Sequence, residues 1–127
     1  MKKFIIITAI IIAALYWCFD YVRTGKFQNY LDINSAKSWA PKTQYYMGYT
    51  YYILGNIQKA EFCYNRILEK YSDSLYKPAA MYGIALIYDE TSRLGQAKEM
   101  YKNLIDGFPD YAKSETAKKR YNFLINF

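Results

Sequence analysis

The first feature of the hydrophobic pattern is an uninterrupted apolar run near the start of the chain. Residues 4–19, FIIITAIIIAALYWCF, contain no charge and one polar residue, Thr8, and two lysines precede them. As a helix this run measures about 24 Å, and extension to Val22 gives about 28 Å, close to the ~30 Å hydrocarbon core of a bilayer. The pattern predicts a transmembrane helix over residues 1–22.

Two interpretations of this segment compete, an uncleaved signal anchor and a cleavable signal peptide. No small-x-small pair follows the apolar run, and the bulky Trp17 before Cys18 is unlike a lipoprotein acceptor site. Tyr16, Trp17 and Tyr21 instead match the aromatic belt expected where a helix leaves a bilayer. These flanking residues favour the signal anchor.

The charges on the two flanks indicate an orientation. Lys2 and Lys3 favour a cytoplasmic N-terminus by the positive-inside rule, whereas Arg23 and Lys26 on the other flank weaken that preference. We therefore expect a single-pass membrane protein whose C-terminal domain, residues 23–127, lies on the periplasmic or outer side.

That domain contains a repeat with an offset of 37 residues. Residues 41–73 align without gaps onto residues 78–110, and small or apolar residues align with residues of the same kind. The identical pairs are Pro41 with Pro78, Tyr45 with Tyr82, Tyr51 with Tyr88, Ala60 with Ala97, Tyr64 with Tyr101 and Asp73 with Asp110.

The spacing of apolar residues within each unit is helical. In the first unit, one face is predicted to pack inward through Met47, Gly48, Tyr51 and Leu54, and a second face runs from Ile57 to Tyr71. Gly55-Asn56 separates the two faces and is typical of a turn. Each unit is therefore predicted to be a helix hairpin that cannot bury its apolar face alone.

A partial unit precedes the two complete ones. Residues 23–34 match the second helix of each unit, because the hexapeptide that begins at Phe27 aligns with those that begin at Tyr64 and Tyr101. We expect the membrane helix to continue into this half-repeat, with Phe27 and Tyr30 buried against the first hairpin. A flexible linker around Thr24-Gly25 is the alternative.

The end of the chain is predicted to be a capping helix over residues 112–127. Its apolar stripe consists of Ala117, Tyr121 and Leu124, and most of its other residues are polar. A polar outer surface is what a terminal repeat needs for solubility.

The units resemble tetratricopeptide repeats, whose pattern is W-x2-L-G-x2-Y, then Ala-x3-aromatic, then Pro. The matching residues are Met47-Gly48, Tyr51, Ala60 and Tyr64 in the first unit and Ile84-Ala85, Tyr88, Ala97, Tyr101 and Pro109 in the second. Gln44 and Met81 replace the Trp, and Ser72 replaces the first Pro. The resemblance covers residues 23–127 and implies about two and a half helical repeats and a cap. With the transmembrane helix predicted from the apolar run, the expected fold is all-α.

The same resemblance implies a location and a binding surface. Inter-unit loops ending in Tyr-x-Asp or Phe-Pro-Asp are similar to those of bacterial cell-envelope members, which implies the bacterial inner membrane. The family's groove is lined by the first helix of each unit, and here that face holds Tyr45, Tyr49, Tyr52, Tyr82, Leu86 and Asp89. The alternative is that these tyrosines only pack against the cap helix or the anchor helix.

Composition makes an enzyme improbable. The chain has no His, which removes the commonest general base and metal ligand, and two Cys cannot form a disulfide framework or a zinc site. Asp89 and Glu90 are adjacent and point apart on a helix, and Cys63 is expected to be a buried hydrophobe. We expect no catalytic residue, no metal and no cofactor.

The net charge of +6 is spread along the chain without a run of five or six basic residues, so no nucleic-acid partner is expected. The predicted function is a membrane-anchored protein–protein interaction module, an accessory or assembly subunit of a larger membrane-associated complex. Its predicted partners are subunits of that complex and the bilayer, through residues 4–22. The alternatives are an envelope-biogenesis factor that captures client peptides transiently and a binder of anionic lipid or nucleic acid.

Overall fold

The computed structural model describes residues 1–126, and over that range all regular structure is α-helical. The helices are α1 (Lys2–Arg23), α2 (Lys26–Ile33), α3 (Ala40–Ile53), α4 (Ile57–Lys70), α5 (Lys77–Glu90), α6 (Leu94–Gly107) and α7 (Ser114–Ile125). They divide into two compact units, residues 1–36 and residue 37 onward. The predicted all-α class is confirmed.

The first unit is dominated by α1, none of whose residues is buried. It is the one helix within residues 1–126 that is long and apolar enough to cross a membrane, and a signal sequence near an N-terminus has the same properties. The structure therefore supports a candidate membrane span at the predicted place.

The expected continuous helix from the apolar segment into residues 23–34 is wrong. α1 ends at Arg23 and α2 begins at Lys26, because Gly25 adopts a φ of +79°, the left-handed conformation that glycine enters without steric cost. The hydroxyl of Thr24 donates a 2.8 Å hydrogen bond to the carbonyl of Asp20 and so closes the last turn of α1.

The aromatic residues of α2 differ in exposure. The Phe27 ring is half-buried and lies 6.4 Å from the Tyr21 ring, whereas Tyr30 is 46% exposed, so its expected burial is wrong. Leu31 is the fully buried residue of this short helix.

The second unit reproduces the 37-residue offset in its helix bounds. α3, α5 and α7 begin at residues 40, 77 and 114, and α4 and α6 begin at residues 57 and 94. Each helix from α3 to α7 packs on the next one along the chain. The unit is therefore two helix hairpins followed by a single helix, which begins two residues later than predicted.

Local sequence signals place the helix ends. Pro41 and Pro78 lie in the first turns of α3 and α5, where a missing N–H costs nothing. Gly55 has a φ of +75° at the turn between α3 and α4, and the side chain of Asn56 caps α4 by accepting a 3.2 Å bond from the Lys59 N–H.

Tyr64 on α4 is the centre of the first hydrophobic core and is 2% exposed. A Cβ placed on Gly48 of α3 would lie 2.9 Å from the Tyr64 ring, and a Cβ on Gly83 of α5 would lie 2.6 Å from it. The ring therefore lies between α3 and α5, and glycine at both positions lets the helices approach it. The equivalent Tyr101 is 1% exposed in the second core.

The inward face of α3 differs from the predicted one. Leu54 is 73% exposed, because it follows the last residue of α3 at the turn into α4, and Met47 is half-buried. Gln44, which replaces the family Trp, is fully buried and hydrogen-bonds the Cys63 thiol. In α7, Ala117 and Leu124 are buried as predicted.

The close approach at Gly83 leads to a matched pair of substitutions. Gly83→Ala should destabilise the fold, because Gly48 on the opposite side prevents the Tyr64 ring from retreating, and such overpacking typically costs about 1–3 kcal/mol. Gly95→Ala on α6 meets no atom within 4 Å and should be neutral or stabilise by about 0.4–1 kcal/mol. Urea unfolding of the full-length protein in mild detergent, followed by circular dichroism, measures the difference. Equal stability of the two variants would contradict the packing assigned to Tyr64.

Candidate functional site

The first helices of the hairpins, α3 and α5, place the six predicted groove residues on neighbouring parts of one surface. Tyr82, Leu86 and Asp89 line a cleft against α7, together with Glu90, Tyr101, Thr116 and Arg120. The Tyr82 phenol contributes to the raised pKa of Tyr52, after burial and Glu90, and the Tyr49 phenol contributes to that of Tyr45, after burial and Tyr46. Their role in partner binding stays a prediction.

An ion pair forms part of the wall of the cleft. Arg120 of α7 donates two hydrogen bonds to the Asp89 carboxylate, from Nε at 2.5 Å and from Nη2 at 2.7 Å, and the Tyr101 hydroxyl lies 3.4 Å from the same carboxylate. Asp89 therefore joins α5 to α7. This pair could not be predicted from the sequence, because no local pattern shows which carboxylate Arg120 meets.

A second polar contact joins α3 to α5. The Tyr52 hydroxyl donates a 2.5 Å hydrogen bond to Oε1 of Glu90. Burial, and then this bond to the carboxylate, raise the pKa of Tyr52 to about 12. Together with the Asp89–Arg120 pair, this contact links the three helices at the C-terminal ends of α3 and α5.

The tyrosines of α3 differ from the prediction in how much they contribute to the core. Tyr45 was predicted to line the groove, but its ring centroid lies 5.8 Å from that of Tyr64 in the core and 5.4 Å from that of Tyr76. Tyr52 also packs against the first core. The physical reason is that Tyr76, at the start of α5, packs against Tyr45 of α3. This face of α3 is therefore partly covered by packing and partly exposed to solvent. Tyr49 remains 46% exposed.

These contacts extend into a larger set that we call the tyrosine surface. It consists of Tyr45, Tyr46, Tyr49, Tyr76, Tyr82 and Tyr111. Tyr46 is 51% exposed, and its ring lies 6.4 Å from that of Tyr76. The pKa of Tyr111 is raised by burial and then by the nearby phenols of Tyr45 and Tyr82.

Three members of the tyrosine surface were not found from the sequence. Tyr76 and Tyr111 lie in or beside the loops between units, where the alignment of the repeats ends, and Tyr46 aligns with a glycine in the second unit. The one available signal was composition, since the chain has 16 Tyr against 2 Trp and 7 Phe.

Comparison with protein families identifies the repeats. Two family models, each described as a tetratricopeptide repeat, match residues 41–74 and residues 79–111. The chain belongs to the tetratricopeptide repeat (TPR) family. A search of curated proteins found no match. TPR arrays are non-enzymatic scaffolds that bind other proteins, so this TPR chain is a protein–protein interaction module.

The groups with possible chemistry in this TPR protein are engaged in packing. Asp89 and Glu90 are bound by different partners, Arg120 and Tyr52. Among residues 1–126, no three His, Cys, Asp or Glu side chains are grouped as metal ligands. Cys63 is 1% exposed, as the sequence predicted, and burial raises the pKa of its thiol to about 12.

The raised pKa of Cys63 predicts an unreactive thiol in the folded TPR protein. In a Cys18→Ser variant, an aromatic disulfide reagent at pH 8 should modify Cys63 at least about 100-fold more slowly than in urea, because the thiolate is the reactive form. The unfolded chain releases the Cys63 thiol proton near pH 9, whereas the folded chain keeps it up to about pH 12. The free energy of unfolding should therefore fall as the pH rises between these two values. Modification equally fast with and without urea would show that Cys63 is accessible.

Proposed function

We propose that this TPR protein is a membrane-anchored adaptor, an accessory or assembly subunit that holds another protein within a larger membrane-associated complex. The observation that carries the proposal is the partly exposed tyrosine surface, in which Tyr45, Tyr49 and Tyr82 lie on the helix face that lines the groove in this family. The adaptor performs no chemistry of its own.

The exposure of the tyrosines supports a binding role. Tyr46 and Tyr49 expose about half of their surface. The Tyr46 ring contacts those of Tyr45 and Tyr76, and the Tyr49 phenol is close enough to Tyr45 to contribute to its raised pKa, after burial and Tyr46. Such patches on soluble surfaces are typical of interaction sites. Tyrosine is also enriched at interfaces, since it combines a large apolar ring with a polar tip.

The polar contacts beside the tyrosine surface support the same role. The Tyr52–Glu90 hydrogen bond holds α3 to α5, and the Asp89–Arg120 pair holds α5 to α7. A surface whose helices are tied together before the partner arrives loses less conformational entropy on binding.

The apolar helix supports a location at a membrane. α1 exposes its apolar side chains along its whole length and carries Trp17 stacked on Tyr21, a pair suited to a bilayer interface. We propose a single-pass protein of the bacterial inner membrane, anchored through residues 4–22, with its C-terminal domain on the periplasmic or outer side.

A matched pair of substitutions tests the binding surface. Tyr49→Ala should weaken the affinity for the partner about thirtyfold, because truncation of an interface tyrosine typically costs about 2 kcal/mol of binding free energy. Phe62→Ala on α4 is the control, since Phe62 is similarly exposed at 52% but lies outside the tyrosine surface. Co-purification from membranes in mild detergent, quantified by mass spectrometry, measures both.

The outcomes of that experiment separate the alternatives. Retention of the partner by Tyr49→Ala would place the binding surface elsewhere. A stoichiometric complex supports the adaptor, whereas a changing set of substoichiometric peptides would support transient client capture. Release of the partner by a moderate increase in salt alone would support binding to anionic lipid or nucleic acid.

The anchor is tested by the mass of the mature chain. We expect the protein purified from membranes to retain its N-terminus and to resist extraction by alkaline carbonate, because an apolar helix of this length is held by the hydrophobic effect rather than by charge. Intact-mass spectrometry gives the answer. A mature chain that begins at Cys18 or later would contradict the signal anchor.

A further inference from the structure

We propose that one end of the second compact unit binds an anionic lipid surface, through a leucine presented between lysines. This inference rests on the proposed membrane anchor and adds a second contact with the bilayer, within residues 37–126. Because consecutive helices of a hairpin array run antiparallel, the loops 71–76 and 108–113 lie at the same end of this unit as the starts of α3, α5 and α7. We call this part of the molecule the loop end.

Leu75 is the side chain that the loop end presents most fully. It is 93% exposed, more than any other large hydrophobic residue within residues 37–126. The Ser74 N–H donates a hydrogen bond to the carbonyl of Tyr71, and the Lys77 N–H donates one to the carbonyl of Ser74. The Ser74 hydroxyl accepts a 3.1 Å bond from the Tyr76 N–H. These bonds order the loop, so Leu75 is held outward rather than folded onto the core.

The repeat does not account for this leucine. The equivalent position in the second repeat, 37 residues later, is Ala112, and Leu75 belongs to neither hydrophobic core. A leucine held in water contributes nothing to the stability of the fold. In the interfacial region of a bilayer, the same side chain gains free energy by leaving water.

Lysines surround the loop of Leu75. Those at the loop end are Lys37, Lys42, Lys70, Lys77 and Lys113. None of them forms an ion pair within residues 1–126. They outnumber the acidic side chains of the loop end that form no such pair, which are Asp73, Asp110 and Glu115. The excess charge is therefore positive, and its sign is complementary to that of anionic lipid.

The opposite end of this unit, at the turn inside each hairpin, has a different charge. Leu54 is 73% exposed there, so apolar exposure alone does not distinguish the two ends. The Glu61 carboxylate accepts two hydrogen bonds from Arg93, and Lys59 lies over an aromatic ring. The carboxylate of Glu90 is exposed at this end. Charge complementarity therefore selects the loop end for an anionic surface.

The course of the chain keeps the loop end within reach of a bilayer. Residues 24–36 follow α1, and the chain enters the second compact unit at the start of α3, which belongs to the loop end. The helix α2 takes up eight of these residues at about 1.5 Å each, and the others extend by at most about 3.5 Å each. This connection can therefore span no more than about 30 Å. An anchored chain holds the lysines of the loop end near the lipid surface, where each lysine typically strengthens binding about fivefold.

The test uses the full-length protein in phosphatidylcholine vesicles with or without phosphatidylglycerol. Leu75→Cys and, at the opposite end, Leu54→Cys are made in a Cys18→Ser background and labelled with a maleimide dye. Cys63 is 1% exposed, so the dye is directed to the new cysteine. Nitroxides on the lipid acyl chains quench a dye that enters the bilayer. With phosphatidylglycerol present, we expect quenching at position 75 to be at least about threefold stronger than at position 54.

Lysine variants test the electrostatic part of the contact. Lys70→Gln combined with Lys77→Gln should reduce quenching at position 75 to the level at position 54, because the loss of two lysines weakens binding about thirtyfold. Omission of phosphatidylglycerol should have the same effect. The control is Lys118→Gln combined with Lys119→Gln on α7, which changes the net charge equally and should leave the quenching unchanged.

Equal quenching at positions 75 and 54, or an equal loss in the two pairs of lysine variants, would overturn the contact at the loop end. A dye on the native Cys18 reports on the anchor separately. Quenching at Cys18 without quenching at position 75 would leave the proposed anchor standing and overturn this inference alone. Quenching at position 75 without quenching at Cys18 would contradict the anchor alone, and quenching at neither position would contradict both.

Discussion

The ring of Tyr64 occupies the space between α3 and α5, where any side chain larger than that of glycine at positions 48 or 83 would overlap it. This packing sets how closely the second hairpin approaches the first. It also brings Tyr45 and Tyr76 against each other, since both rings pack on the same core. The candidate binding surface is therefore a consequence of how one buried aromatic residue is accommodated.

Polar contacts then hold the arrangement that the hydrophobic core creates. The Tyr52–Glu90 and Asp89–Arg120 contacts join residues 38 and 31 positions apart in the chain, each on the first helix of its unit or on the cap. Both contacts use carboxylates at the C-terminal end of α5. The aromatic rings beside these contacts stay partly exposed, with Tyr46 at 51% and Tyr49 at 46%.

The two compact units have different physical characters. Residues 1–36 contain an apolar helix with no buried residue, which is long enough to be a candidate membrane span. From residue 37 onward, apolar side chains are buried in two cores within the unit. Gly25 separates α1 from α2 by a left-handed turn, so the two helices are not one continuous rod.

The amino-acid sequence by itself determined the all-α class, the 37-residue offset, the family and the burial of Cys63, Ala117 and Leu124. These properties follow from local periodicity, which repeats along the chain and can be read residue by residue. Only the tertiary structure decided that Leu54 is exposed, that Tyr45 joins the core and that Arg120 meets Asp89. Those outcomes depend on which helix lies beside which, and a pairing between residues far apart in the chain leaves no trace in the local pattern of either one.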